Sequence, residues 1–172
     1  MGIYDEDEIR LHHRRHIMSE LTVRMVQLEP ARVAAAHGFG ASPEDEAWRK
    51  ILAWARAQGI DESVHLGRYF GFNNPSPSPA SPNYGYEQWL ILKPGETPAA
   101  SDDITLKTFE GGLYAVTRCT LPQIGEAWRQ LGVWRETSAY RAAHHQWLEE
   151  AVSPLGTPFD DMVLDIYLPV AG

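Results

Sequence analysis

The 172-residue sequence predicts an α+β domain built from two copies of one strand–helix–strand–strand unit. Three observations carry this. The segment EAWRKILAW at Glu46–Trp54 returns as EAWRQLGVW at Glu126–Trp134, with five of nine positions identical, both tryptophans and the arginine among them. The sequence before each copy repeats more weakly: setting Glu29 against Glu110 places Pro30-Ala31 opposite Gly111-Gly112 and Ala34 opposite Ala115. After each copy come further apolar runs, GRYFGF and YEQWLIL first, then HQWLEEAV and MVLDIYLPV. A repeat of roughly eighty residues is too long for a solenoid unit and suits half of one domain. The expected architecture is a mainly antiparallel sheet with two helices on one face, related by a pseudo-twofold axis, and a ligand groove on the other. The domain is expected over 21–172, with half-repeats at about 21–95 and 102–171.

Residues 1–20 read as a charged leader or short helix, with LHHRRHIM at its centre. His12 and His16 are spaced to share a helix face as metal ligands, but a solvated basic patch is the simpler reading, so no metal and no cofactor are expected. Strand-like runs follow, and the first helix opens at Ser42, a capping residue. Pro43 suits its first position, and Glu44 and Asp45 complement its dipole. Trp48, Ile51, Leu52 and Ala55 form its apolar stripe, and Gly59 ends it. The second helix starts near Pro122 and repeats the stripe with Ile124, Ala127, Trp128 and Leu131. On this reading Trp48 and Trp128 are core residues and not ligand contacts. The prolines of NNPSPSPASPNYG (Asn73–Gly85) forbid regular structure, which makes that stretch an extended loop between two strands.

Composition narrows the function. A formal net charge of −8 disfavours direct binding to nucleic acid phosphates and suits a neutral or cationic small molecule. Six tryptophans give enough aromatic surface for a large core or a ring-lined pocket. Cys119 is the single cysteine, which excludes an intrachain disulfide and reads as a reduced strand residue. The absence of a signal-like or membrane-length apolar run reads as cytoplasmic.

No phosphate-binding loop, nucleophile elbow or paired-cysteine motif is present. The chemistry-bearing residues are carboxylates among rings. YGYEQWLIL puts Glu87 and Trp89 on one strand face and Tyr86, Gln88 and Leu90 on the other, with a salt bridge from Glu87 to Arg68 or Arg118 as its structural role. Glu149 and Glu150 follow Trp147 directly, and Asp165 and Tyr167 share a face. Phe70 and Phe72 alternate on one side of GRYFGF, as groove wall or as core. An acid turned inward among rings can hold a cation or, with its pKa raised, act as a general acid or base.

The succession LEPARVAAAHGFG, AWRKILAW, NYGYEQWLIL, FEGGLYAVTRC, AWRQLGVW, WLEEAV and LDIYLPV resembles the GyrI-like small-molecule-binding family, the effector-binding domain of many AraC- and MerR-type regulators. The resemblance covers about residues 20–171. It implies a duplicated strand-helix-strand-strand fold and an aromatic pocket with a glutamate on its floor, within a pattern like Pro-x-Phe-Glu-x-Tyr. QWLEEA places Glu149 at that glutamate, with Gln146 and Ala151 replacing the proline and tyrosine. Tyr167 matches a pocket tyrosine of the last strand, and Trp89 a strand tryptophan beside it. Trp147 completes the expected ring around Glu149. The resemblance implies a stand-alone binder of hydrophobic or cationic molecules, with no membrane or nucleic acid partner. A detoxifying hydrolase of electrophilic, cyclopropane-bearing compounds, with Glu149 catalytic, is the alternative. A protein-interaction module such as a gyrase inhibitor comes third, and a protein partner or homodimer stays open.

Overall fold

A computed structural model describes residues 21–60 and 68–172. The leader over 1–20, with the His12 and His16 reading, lies outside the described residues. In chain order the elements are β1 (Arg24–Leu28), β2 (Ala31–Gly40), α1 (Pro43–Ala57), β3 (Tyr69–Asn73), β4 (Tyr84–Ile91), β5 (Ile104–Phe109), β6 (Gly112–Thr120), a 3-10 turn at Leu121–Gln123, and α2 (Ile124–Thr137). The chain then forms β7 (Arg141–Ala142), β8 (Leu148–Ala151), a second 3-10 turn at Phe159–Asp161, and β9 (Val163–Ala171). Among the described residues the fold is α+β, with mostly antiparallel strands in one open sheet and two helices.

The sheet order β1-β6-β9-β8-β3-β4-β2-β5 reads the same from either end, once β1 is matched with β5, β6 with β2, β9 with β4 and β8 with β3. A pseudo-twofold axis therefore passes between β3 and β8, which pair antiparallel through Phe70–Glu150 and Gly71–Glu149. Each copy lends its first strand to the other: β1 pairs with β6 and β5 with β2. Only Glu29 and Pro30 join β1 to β2, and only Glu110 and Gly111 join β5 to β6. Links that short cannot cross a flat sheet of this width, so the sheet bends until its ends meet at this corner. Gly111 has a φ of +73° there, and a Cβ on it would lie 2.2 Å from the Leu28 carbonyl oxygen. The alignment of Glu29 with Glu110 marks these two crossing links.

Alternation along the strands sends each residue to one of two buried faces. The inner face of the bend is filled by Leu28, Val33, Phe70, Phe72, Trp89, Phe109, Tyr114, Leu148 and Tyr167, all buried and drawn from both halves. Their rings meet edge-on, with centroids 4.9 Å apart for Phe72 and Trp89 and 5.4 Å for Phe70 and Tyr167. The outer face carries both helices. Against it α1 buries Ala47, Ile51, Trp54 and Ala55, and α2 buries Ala127 and Leu131. Val33, Ala34, Ala35 and Ala36 are buried in succession because both faces of β2 are covered.

The α1 start differs from expectation in one detail: Pro43 takes the first position, but the Ser42 side chain makes no capping bond. Gly59 lies just beyond the helix at φ +69°. Cys119 is a free, buried thiol of β6, as expected. No helix among the described residues is long and apolar enough to cross a membrane.

Candidate functional site

The expected groove on the face away from the helices is corrected by the packing. Trp89, Tyr167, Phe70 and Phe72 are at most 7% exposed and fill that face as core. A cavity of about 720 Å³ opens instead on the helix side, between α1 and α2 and above the β3–β8 seam. Helix α1 contributes Glu44, Asp45, Trp48 and Leu52 to its wall, β4 contributes Tyr84, Tyr86 and Gln88, and Glu149 projects from β8. Leu155, Phe159 and Met162, from the β8–β9 connection, close one side with Leu121 and Ile124.

Period-two alternation separates the two acids of β8. Glu149 faces the cavity, where its carboxylate accepts the Tyr86 hydroxyl at 3.2 Å and the Trp128 indole N–H at 3.4 Å. Glu150 faces the inner side, where Arg68 donates to it at 2.8 and 3.0 Å and the Tyr167 hydroxyl also donates. Burial pushes the Glu149 carboxyl above the ordinary carboxylate range, the bonds from Tyr86 and Trp128 hold it down in part, and the charge of Glu44 adds to the rise. Burial likewise raises the phenols: Tyr84, which donates to Glu44 at 2.6 Å, to about 12, and Tyr86 well above its usual value. Both stay protonated donors at neutral pH.

The remaining candidates divide between the two faces. Trp147, 47% exposed, packs on Trp128 at 5.3 Å and buttresses the indole that reaches Glu149. Trp48 and Trp128, expected as core, do pack against the helix-side core but are only partly buried: Trp48 also lines the cavity, and Trp128 donates to its acid. Ala47 and Trp54 join Ile51 and Ala55 as the buried residues of α1, which leaves Trp48 and Leu52 at the edge of the stripe that borders the cavity. Glu87 does not bind Arg68 or Arg118. It accepts Lys107 at 2.8 and 3.0 Å, the Trp89 indole at 2.8 Å and Asn74 at 2.9 Å. Arg118 is taken by Asp165, which Arg24 also reaches. Tyr86, Gln88 and Tyr84 were missed as site residues, although the alternation of YGYEQWLIL already set Tyr86 and Gln88 on the face opposite Glu87 and Trp89.

A sequence model for the Cass2 family, integron-associated effector binding protein, matches residues 24–170, nearly the whole chain. The chain belongs to this family. The effector-binding assignment thus agrees with the GyrI-like fold, an open antiparallel sheet carrying two helices beside a cavity. Solved structures share that fold at low identity. The EcmrR C-terminal domain matches with a TM-score of 0.67 at 10% identity, over 88% of this chain and 98% of that one. In the EcmrR–DNA complex the TM-score is 0.65 at 9% identity, and this effector-binding chain spans only 63% of the EcmrR chain. A hydrolase from Listeria innocua matches at 0.65 and 11% identity, over 95% of this chain and 98% of that one. The Vibrio cholerae integron cassette protein VCH_CASS2 matches at 0.51 and 12% identity, over 89% and 100%. No curated protein matches the sequence.

Proposed function

We propose that this effector-binding domain takes up a small, largely apolar molecule bearing positive charge in the cavity between α1 and α2, with Glu149 setting its charge preference. The observation that carries the reading is the placement of Glu149. It sits in a wall of rings and aliphatic side chains, with Glu44 and Asp45 in the same wall and, among the described residues, no lysine or arginine lining it. An acid so placed has its charge weakly compensated, and a ligand cation supplies what the wall lacks. Trp48, Tyr84 and Tyr86 offer ring surface to the same cation. Calorimetric titration with an aromatic ammonium tests this. Glu149→Gln, which keeps the shape and removes the charge, is expected to weaken binding roughly tenfold or more. Equal affinity in the variant would refute the role given to Glu149.

A second reading has one observation in its favour. The raised Glu149 carboxyl and the Tyr86 hydroxyl lie in hydrogen-bond contact, a pair able to move a proton to or from a bound electrophile. In that case an electrophilic compound is consumed with water, and Glu149→Gln abolishes product formation. Recovery of the intact compound after long incubation with wild type excludes turnover.

A further inference from the structure

We infer that the cavity selects cations whose charge is carried on N–H donors, such as a primary or secondary ammonium or an amidinium, over permanently quaternised cations of the same shape. This rests on the cavity being a cation site, as proposed above. The first observation is that three donors of the wall are already committed. The Tyr84 hydroxyl is given to Glu44, the Tyr86 hydroxyl to Glu149, and the Gln88 amide N–H to the Phe70 carbonyl at 3.0 Å. Among the described residues no lysine, arginine or histidine lines the cavity, and Ser42, Asn73, Ser153 and the Trp48 indole are the polar groups that remain.

The second observation is independent of the acids. Gln88 lines the cavity and is 1% exposed, yet its Oε1 has no hydrogen-bond partner among the described residues. The Phe70 carbonyl fixes the amide orientation, because turning it over would set oxygen against oxygen. Gln88 thus keeps a buried, unfilled acceptor in a residue of the cavity wall, on the same side of the sheet as the Glu149 carboxylate, which retains unused lone pairs.

These two facts give the preference its sign. A cage of rings without acceptors favours quaternary cations, which are easier to strip of water. A wall of unfilled acceptors reverses the order, because a ligand without N–H leaves them buried and unpaired. Phenyl ring and chain length can be held constant while only the donors change.

The probes are 4-phenylbutylammonium and its N,N,N-trimethyl derivative, titrated calorimetrically against the full chain and against Gln88→Met, which keeps side-chain length without the acceptor. Wild type is expected to bind the primary ammonium about tenfold or more tightly than the trimethyl probe, and the ratio is expected to shrink in Gln88→Met. Equal or tighter binding of the trimethyl probe by wild type overturns the inference while leaving the cation site standing. An unchanged ratio in folded Gln88→Met overturns the part given to Gln88. Binding of neither probe overturns the cation-site reading itself. The wild-type ratio decides the main point even where the variant does not fold.

Discussion

Gly71 and Glu149 are cross-strand partners on the pseudo-twofold axis, equivalent positions of the two copies that carry opposite chemistry. Their equivalence follows from the register: Gly71 lies opposite Gln88 as Glu149 lies opposite Ile166, on the matched strands β4 and β9. One copy supplies the acid, and the other supplies an absence. A Cβ on Gly71 would fall 2.0 Å from the Tyr86 hydroxyl oxygen and 2.5 Å from the ring carbon that bears it. The missing side chain makes room for the phenol that donates to Glu149.

Gly71→Ala is therefore expected to displace Tyr86, a buried ring with little freedom to retreat. Overpacking of this kind costs roughly 1–3 kcal/mol. Chemical denaturation should read that loss, and ligand affinity should fall with it because the Tyr86–Glu149 contact is lost. Alanine tolerated at full stability would show that the seam is looser than this geometry.

The raised Glu149 carboxyl has a consequence of definite sign. Between the ordinary value of 4.5 and its raised one, the folded chain holds a proton that the unfolded chain has released. Stability from this group therefore falls as pH rises through that window. Glu87 and Asp165 act oppositely: burial alone would raise both, but Lys107 on one and Arg118 with Arg24 on the other bring both below the ordinary range. Their contribution is lost as pH falls. The two effects overlap, so the difference between wild type and Glu149→Gln is the quantity to measure. The variant is expected to gain stability relative to wild type as pH rises above 4.5. Cation affinity of wild type should rise over the same window, because the ligand prefers the ionised acid.

Ligand binding should be visible in tryptophan fluorescence, and the responsible ring is Trp48. It lines the cavity, whereas Trp89 is 7% exposed on the inner face, held edge-on to Phe72 and bonded to Glu87. Trp48→Phe is expected to remove most of the ligand-dependent change, and Trp89→Phe to preserve it. The reverse pattern would move the ligand to the inner face.

Much of this was legible in particular residues. The repeated EAWR segment announced the duplication, and the alternation of Leu148, Glu149, Glu150 and Ala151 announced that one acid faces each side. What could not be read was which side is open. Trp89, Tyr167, Phe70 and Phe72 have the same composition as a ring-lined pocket, and only the bend of the sheet turns their face into a core. That bend comes from β1 and β5 crossing into opposite halves, a pairing that leaves no local pattern. Trp48 was misjudged for a related reason. A stripe with i, i+3, i+4 spacing fixes a helix face, but neither its rotation against the sheet nor whether its edge meets another element.

The two neighbouring glutamates give the sharpest separation between site and scaffold. Glu150 is held on the inner face by two bonds from Arg68 and one from Tyr167, and Arg68 also lies 4.9 Å above the Phe70 ring. Glu150→Gln keeps an acceptor for Tyr167 and loses one charged arm toward Arg68. Because the Arg68 side chain is 49% exposed, water screens the pair, and the expected loss is about 1 kcal/mol. Ligand affinity should not change, since the sheet lies between Glu150 and the cavity. Glu149→Gln should show the opposite profile, with affinity lost and folding stability kept or improved near neutral pH. Measured side by side by denaturation and calorimetry, the two variants should exchange effects between stability and binding. Loss of affinity in Glu150→Gln with none in Glu149→Gln would place the ligand beside Arg68 and Tyr167, on the face that the core fills here.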